Sequence, residues 1–179
     1  MQTEFEVKIL DIDVDSILAK LHDLGAIKVA EKEQKRYIYN FNPKKENSFI
    51  RLRTDGAKTT LTIKEIENTK IDGTKELEIV VDDFEKTHLM LEKLEYVSIG
   101  YQENRRISYT LNNVEIEIDF WPLIPPYLEI EARSVGEVEE MMKQLGFELS
   151  RGTSERTSAV YKKYGLDIEL IKELKFDTK

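Results

Sequence analysis

Apolar and polar residues alternate with period two over most of the chain, which predicts short strands interrupted by a few helices. Over residues 4–10, Phe5, Val7 and Ile9 share one parity while Glu4, Glu6 and Lys8 share the other. Similar runs predict strands over 35–41, 48–54, 59–66, 75–81, 103–111, 113–120 and 127–133. Asp55-Gly56 and Asn112-Asn113 are hairpin signals because these residues tolerate positive φ, and Asp72-Gly73 marks a further turn. Helical spacing appears in four places. Asp13 or Asp15 can cap a helix over 14–24 whose stripe is Ile17, Leu18, Leu21 and Leu24, ending at Gly25. A Glu- and Leu-rich helix is predicted over 83–94, and Ser134 with Glu137 forms a capping box for another over 135–145. A weaker helix spans 154–164. The three prolines between Trp121 and Pro126 remove backbone donors, so that segment is no regular strand. Around Glu31, Glu33 and Lys35 both parities are polar, which reads as a charged turn or surface edge. With no repeat or linker, residues 1–179 form a single α+β domain of about eight strands and three or four helices.

The polar parity of the strands is unusual. Arg51 and Arg53 alternate with Ile50 and Leu52, Lys64 follows Thr60 and Thr62, and Glu76 and Glu78 flank Leu77. Glu115, Glu117 and Asp119 alternate with Val114, Ile116 and Ile118, and Glu129 and Glu131 flank Ile130. For any one strand, a solvated sheet face is the ordinary explanation. Glutamates pair at i, i+2 seven times, about twice the frequency random placement gives. Like charges one pleat apart repel, and a solvated face gains nothing from them. Carboxylates grouped in this way suit divalent cations, which take oxygen ligands. Arginines grouped in this way suit a polyphosphate, which they grip bidentately. If the strands close on themselves with the charged parity inward, they make a polar lumen with helices packed on the apolar outside.

Composition narrows the chemistry. Charged residues make up 35% of the chain and the net charge is −8, which argues against a nucleic-acid partner. There is no cysteine, so thiolate metal sites, disulfides and Cys nucleophiles are excluded. His22 and His88 each stand in a helical segment without a neighbouring ligand, which argues against zinc. No apolar run approaches the ~18 residues of a membrane span, and Glu4, Glu6 and Lys8 are incompatible with a secretory leader. A soluble cytoplasmic protein is expected, with no membrane partner.

In these strands the chain resembles the CYTH superfamily, the triphosphate tunnel metalloenzymes that include class IV adenylate cyclases, thiamine triphosphatases and inorganic triphosphatases. The resemblance runs over about residues 2–165. It rests on Glu4-Phe5-Glu6-Val7-Lys8, Phe49-Ile50-Arg51-Leu52-Arg53, Thr62-Ile63-Lys64, Lys75-Glu76-Leu77-Glu78, Arg105-Arg106-Ile107-Ser108-Tyr109, Ile118-Asp119 and Tyr127-Leu128-Glu129-Ile130-Glu131. It implies a closed antiparallel eight-stranded β-tunnel with a polar lumen. It also implies that Glu4, Glu6, Asp119, Glu129 and Glu131 match the Mg²⁺ or Mn²⁺ ligands, with Glu117 a weaker candidate. Lys8, Arg51, Arg53, Lys64 and Arg106 match the residues that hold the triphosphate, and Glu76 and Glu78 match tunnel acids that orient them. Two positions depart from the pattern: Asn104 stands where many relatives have a basic residue, and Lys75 where many have Arg.

The expected function is therefore a metal-dependent enzyme acting on a small-molecule triphosphate (ATP, tripolyphosphate or thiamine triphosphate). Lys8 and Lys64 are the expected catalytic cations. The segment from Trp121 to Glu131 leans towards class IV adenylate cyclases, which convert ATP to cyclic AMP and pyrophosphate, with an inorganic or organic triphosphatase as the alternative. A non-catalytic polyphosphate- or nucleotide-binding module would keep the basic cluster but have no use for paired metal carboxylates. The oligomeric state is left open, a dimer included.

Overall fold

The computed structural model describes residues 1–177. Its elements in chain order are β1 (Gln2–Ile9), α1 (Val14–Asp23), β2 (Ile27–Tyr39), β3 (Ser48–Thr54), β4 (Thr59–Ile66), β5 (Thr74–Val81), α2 (Phe84–Lys93), β6 (Ser98–Leu111), β7 (Val114–Phe120), β8 (Tyr127–Ala132), α3 (Val135–Gln144), β9 (Gly152–Thr153), α4 (Thr157–Lys163) and β10 (Glu173–Leu174). Eight strands pair antiparallel in the order β6-β2-β3-β4-β5-β1-β8-β7, and the β6–β7 ladder closes the ring. The expected tunnel with helices outside is the fold observed.

Local sequence explains the joints. Asp13, Asp83 and Ser134 each accept a hydrogen bond from the backbone N–H three residues on, which caps α1, α2 and α3. Asn112 and Asn113 both take positive φ (53° and 63°), as the β6–β7 hairpin requires.

The outward parity of the strands is buried under the helices. Val7, Ile9, Ile116, Ile118, Leu128 and Ile130 pack with Ile17 and Leu21 of α1 and with Val138, Met141, Met142 and Leu145 of the α3 region. A second cluster joins Tyr39, Ile50 and Leu52 to Phe84 and Leu91 of α2. A third joins Trp121, Ile124 and Tyr127 to Val160, Tyr161, Ile168 and Leu174 of the C-terminal segment. The first two cores therefore lie outside the barrel, while Trp121, Tyr127 and Ile168 of the third also border its otherwise largely charged inside.

The structure decides one open reading of the sequence and extends a second. The charged stretch 31–35 is the surface edge and not the turn: β2 runs from Ile27, pairs with β6 over nearly its whole length, and meets β3 only from Lys35. Its polar residues on both parities reflect a sheet edge, with Lys28, Val29, Glu31, Lys32 and Glu33 exposed, beside β6, which pairs on its other side with β7. Strand β6 likewise starts at Ser98, five residues earlier than the alternation suggests. No helix among the described residues is long and apolar enough to cross a membrane.

Candidate active site in the tunnel

The inward parity converges on a cavity of about 320 Å³. Register sets one acidic wall. Glu6 lies opposite Glu131 across the β1–β8 ladder, and Glu131 lies opposite Glu115 and Glu129 opposite Glu117 across the β8–β7 ladder. A basic wall is made by Lys64 from β4 and Arg51 and Arg53 from β3, and Arg106 from β6 stands beside the acidic wall, next to β7. Of the sequence-predicted site residues, Glu4, Glu6, Lys8, Arg51, Arg53, Lys64, Glu76, Glu78, Arg106, Glu129 and Glu131 all line this cavity.

Asp119 does not. It is fully buried, accepts Arg106 Nε at 2.8 Å and Nη2 at 2.5 Å, and accepts Asn104 Nδ2 at 2.9 Å. The structure places it behind Arg106 as the anchor of that guanidinium. Glu129 reaches the same guanidinium at 3.1 Å, and Glu117 is also paired with it.

The other cations are held in a similar way. Lys8 Nζ lies 2.6 Å from Glu6 and 3.2 Å from Glu129. Lys64 Nζ lies 2.8 Å from Glu4 and 3.1 Å from Glu76. Arg51 stands 3.5 Å from Glu76 and 3.6 Å from Glu78, and Glu78 also accepts Thr62 Oγ1 at 2.9 Å. Glu76 and Glu78 thus orient the basic wall. Burial opposes charge on Lys8, yet Glu6 and Glu129 raise its pKa well above the ordinary lysine value. For Glu129 burial is overcome by Lys8, Arg106 and Lys64, which hold it ionised.

The carboxylates nearer β1 behave differently. Burial, with Glu4, Glu129 and Glu6 nearby, pushes Glu131 up to about 8. Burial together with Glu6 and Glu76 pushes Glu4 up to about 7 despite Lys64. Glu131 makes no ion pair among the described residues. No three Asp, Glu or His side chains among them are already gathered around one metal-sized point. The donor set nonetheless fits a hard cation, because a cluster of oxygen donors that repel one another is what Mg²⁺ or Mn²⁺ neutralises.

This crowding makes stability depend on pH. Raised carboxylate pKa values favour folding below the unfolded value of about 4.5, and that contribution is lost as pH rises through 7 and 8. The metal-free protein is expected to melt at progressively lower temperature between about pH 5 and pH 9, and millimolar Mg²⁺ is expected to flatten the profile. Thermal denaturation across that range checks both statements.

Sequence reasoning missed Arg36 and Trp121. Arg36 shares the inward parity of β2 with Ile38 and lies directly opposite Arg53 in register. The signal was the alternation of Arg36 and Ile38 with Tyr37 and Tyr39, which face the α2 side. Of the two departures, Asn104 is buried and bridges Arg36 to Asp119. Lys75 points away from the cavity to Glu67, at 2.5 Å.

A ring of eight antiparallel strands enclosing acidic and basic walls is the tunnel of the CYTH domain family, which matches residues 2–164. The chain belongs to that family, whose cyclases and triphosphatases act on triphosphates and are in general metal-dependent. Similar solved structures include the PH1012 protein of Pyrococcus horikoshii, 26% identical, with a TM-score of 0.76, covering 94% of this chain and 99% of that one. A candidate adenylate cyclase of Vibrio parahaemolyticus has the same fold at 12% identity and a TM-score of 0.76, covering 90% and 98%. So does a Hippeastrum protein described as a candidate adenylyl cyclase with a dominant triphosphatase activity, at 17% identity and a TM-score of 0.63, covering 93% and 99%. No curated protein matches the chain.

Proposed function

We propose that this protein is a metal-dependent enzyme that cleaves a linear triphosphate by hydrolysis. One observation carries the reading: Lys64, Arg51, Arg53 and Arg106 line a single small lumen together with Glu4, Glu6, Glu129 and Glu131. Phosphoryl transfer asks a protein mainly for positioning and for charge opposite the phosphate oxygens. Strand-borne guanidinium groups held by Glu76, Glu78 and Asp119 supply both. Glu4, Glu6, Glu129 and Glu131 would hold the divalent cation, which supplies further neutralisation of the phosphate charge when bound.

In this reading the oxygen of a water molecule bonds to the terminal phosphorus as the anhydride bond breaks. Lys8 and Lys64, both kept as ammonium groups by their carboxylates, stabilise the charge of the transferring and leaving groups. Cyclisation of ATP is the second reading. It is favoured by Ile38, Phe49, Ile66 and Ile99, which border the same cavity and offer apolar surface to a base.

Incubation with ATP, tripolyphosphate and thiamine triphosphate under Mg²⁺ and Mn²⁺ separates the readings. Orthophosphate from a triphosphate supports hydrolysis, and cyclic AMP with pyrophosphate supports cyclisation. Failure to turn over any triphosphate with either metal would count against both.

A further inference from the structure

Two rows of apolar side chains run across the outside of the barrel from β3 to β5. Ladder register aligns Leu52, Leu61 and Ile79 in one row and Ile50, Ile63 and Leu77 in the other. The β3 ends are buried beneath Phe84 and Leu91 of α2, Leu52 at 0% exposure and Ile50 at 6%. The β5 ends are bare: Leu77 is 50% exposed and Ile79 54%. An apolar sheet face is stable when another layer covers it, and this one is covered over only half its width.

Helix α2 is tied to the other side. Glu85 pairs with Lys35 of β2, and His88 stacks on Tyr37 of the same strand with ring centroids 3.9 Å apart. With 3.6 residues per turn, Met90 and Leu94 then fall on the opposite flank, beside β4 and β5. They are 64% and 61% exposed, and Leu89 and Val97 at the outer end of the helix are also more than half exposed. The result is an apolar floor on β4 and β5 next to an apolar ridge on α2. At roughly 100 Å² of apolar surface per side chain, the six exposed residues leave roughly 350 Å² open. A standard interface takes about 800 Å² from each partner, of which a little over half is apolar. This face supplies most of that share.

Its shape and charge suit a copy of itself. A two-fold axis at the edge of the floor seats the ridge of each copy on the floor of the other, an isologous contact. The charges bordering the floor are paired within the chain, Lys75 with Glu67 and Lys45 with Glu65. Lys86 at the start of α2 is likewise paired, with Asp83. Two chains that each carry a net charge of −8 repel over most of their surface, and here they meet with the bordering carboxylates neutralised. A nucleic acid or an anionic membrane would ask for free basic groups around the patch, and these lysines are already engaged.

We propose that the β4–β5 face and the adjoining flank of α2 form a dimer interface covered by the same face of a second copy of this chain. Met90 and Leu94 of each copy then pack on Leu77 and Ile79 of the other. The lumen takes no part, so the contact stands independently of the triphosphate reading.

Sedimentation velocity of the full chain over about 1–100 µM tests this. Wild type is expected to be dimeric over most of that range, since interfaces of standard size bind with micromolar or lower Kd. Ile79→Glu and Met90→Lys place a charge at exposed positions. Each is expected to weaken association at least roughly tenfold while leaving the circular dichroism spectrum unchanged. Mixed together, the two variants are expected to re-associate, because one contact then pairs the new carboxylate with the new ammonium and the other is wild type. Leu170 is the control, being 82% exposed on the C-terminal segment that packs around Trp121. Leu170→Lys is expected to leave the dimer intact. A wild-type chain that stays monomeric at about 100 µM would overturn the proposal, and co-sedimentation of that monomer with anionic vesicles would assign the face to a membrane instead. Dimers that survive both charge substitutions, or that Leu170→Lys breaks equally, would also overturn it. Failure of the mixed variants to re-associate would overturn the seating of ridge on floor.

Discussion

Replacing Asp119 with Ala is expected to lower the melting temperature by roughly 6–20 °C. The carboxylate is fully buried and accepts two hydrogen bonds from Arg106 and one from Asn104. Removing one partner of a buried ion pair costs about 3–5 kcal/mol, because the other charge is stranded. For a chain of this length each kcal/mol moves the midpoint by about 2–4 °C. Glu117 and Glu129 still face Arg106, so the lower half of the range is the better centre. Asp119→Asn keeps the shape and one acceptor, and should cost less than half as much. A shift below about 2 °C for the Ala variant would show that the two glutamates hold Arg106 unaided. Arg106 freed in this way should also bind triphosphate more weakly, so melting and affinity should fall together.

Glu131→Gln is expected to do the opposite to stability and more to turnover. Glu131 sits in a cluster of carboxylates that pushes it up to about 8. Neutralising it removes repulsion from Glu4, Glu6 and Glu129 without changing shape. The metal-free variant should therefore melt higher than wild type at pH 8 and lose most of the pH dependence. If the same oxygens hold the cation, turnover of triphosphate at limiting Mg²⁺ should fall by at least roughly 100-fold, with part regained at high metal. Full activity at limiting metal would exclude Glu131 as a ligand. Glu6→Gln makes an informative comparison, since Glu6 is bonded to Lys8 at 2.6 Å. Its loss would leave the buried Lys8 ammonium with Glu129 alone, at 3.2 Å, and lower stability.

The lumen was legible in the chain because a strand's side chains alternate strictly, so parity alone sorts Glu4, Glu6 and Lys8 from Phe5 and Val7. The caps at Asp13, Asp83 and Ser134 and the Asn112-Asn113 turn were legible too, since each acts within a few residues. What depends on register was not. Asp119 shares the parity of Glu117, but the β6–β7 pairing sets it opposite Arg106, which covers it. Arg36 lies among lysines and tyrosines, and only the β2–β3 ladder brings it to Arg53. The exposed sheet edge at the start of β2 carries charge on both faces, so its alternation is lost although its hydrogen bonds are not. Strands β9 and β10 have two residues each and leave no pattern to read.

The chain contains one tryptophan, Trp121. One face of its indole looks onto Arg36, and its edge meets Tyr161 of α4. Its emission therefore comes from the contact between the lumen and the C-terminal segment, with no other indole to dilute it. An anion that draws Arg36 off the ring changes the field at the indole, whereas detachment of the segment wets it and moves the emission to the red. Intrinsic fluorescence can thus follow substrate entry and the seating of the C-terminal segment as two separable signals in the unlabelled protein.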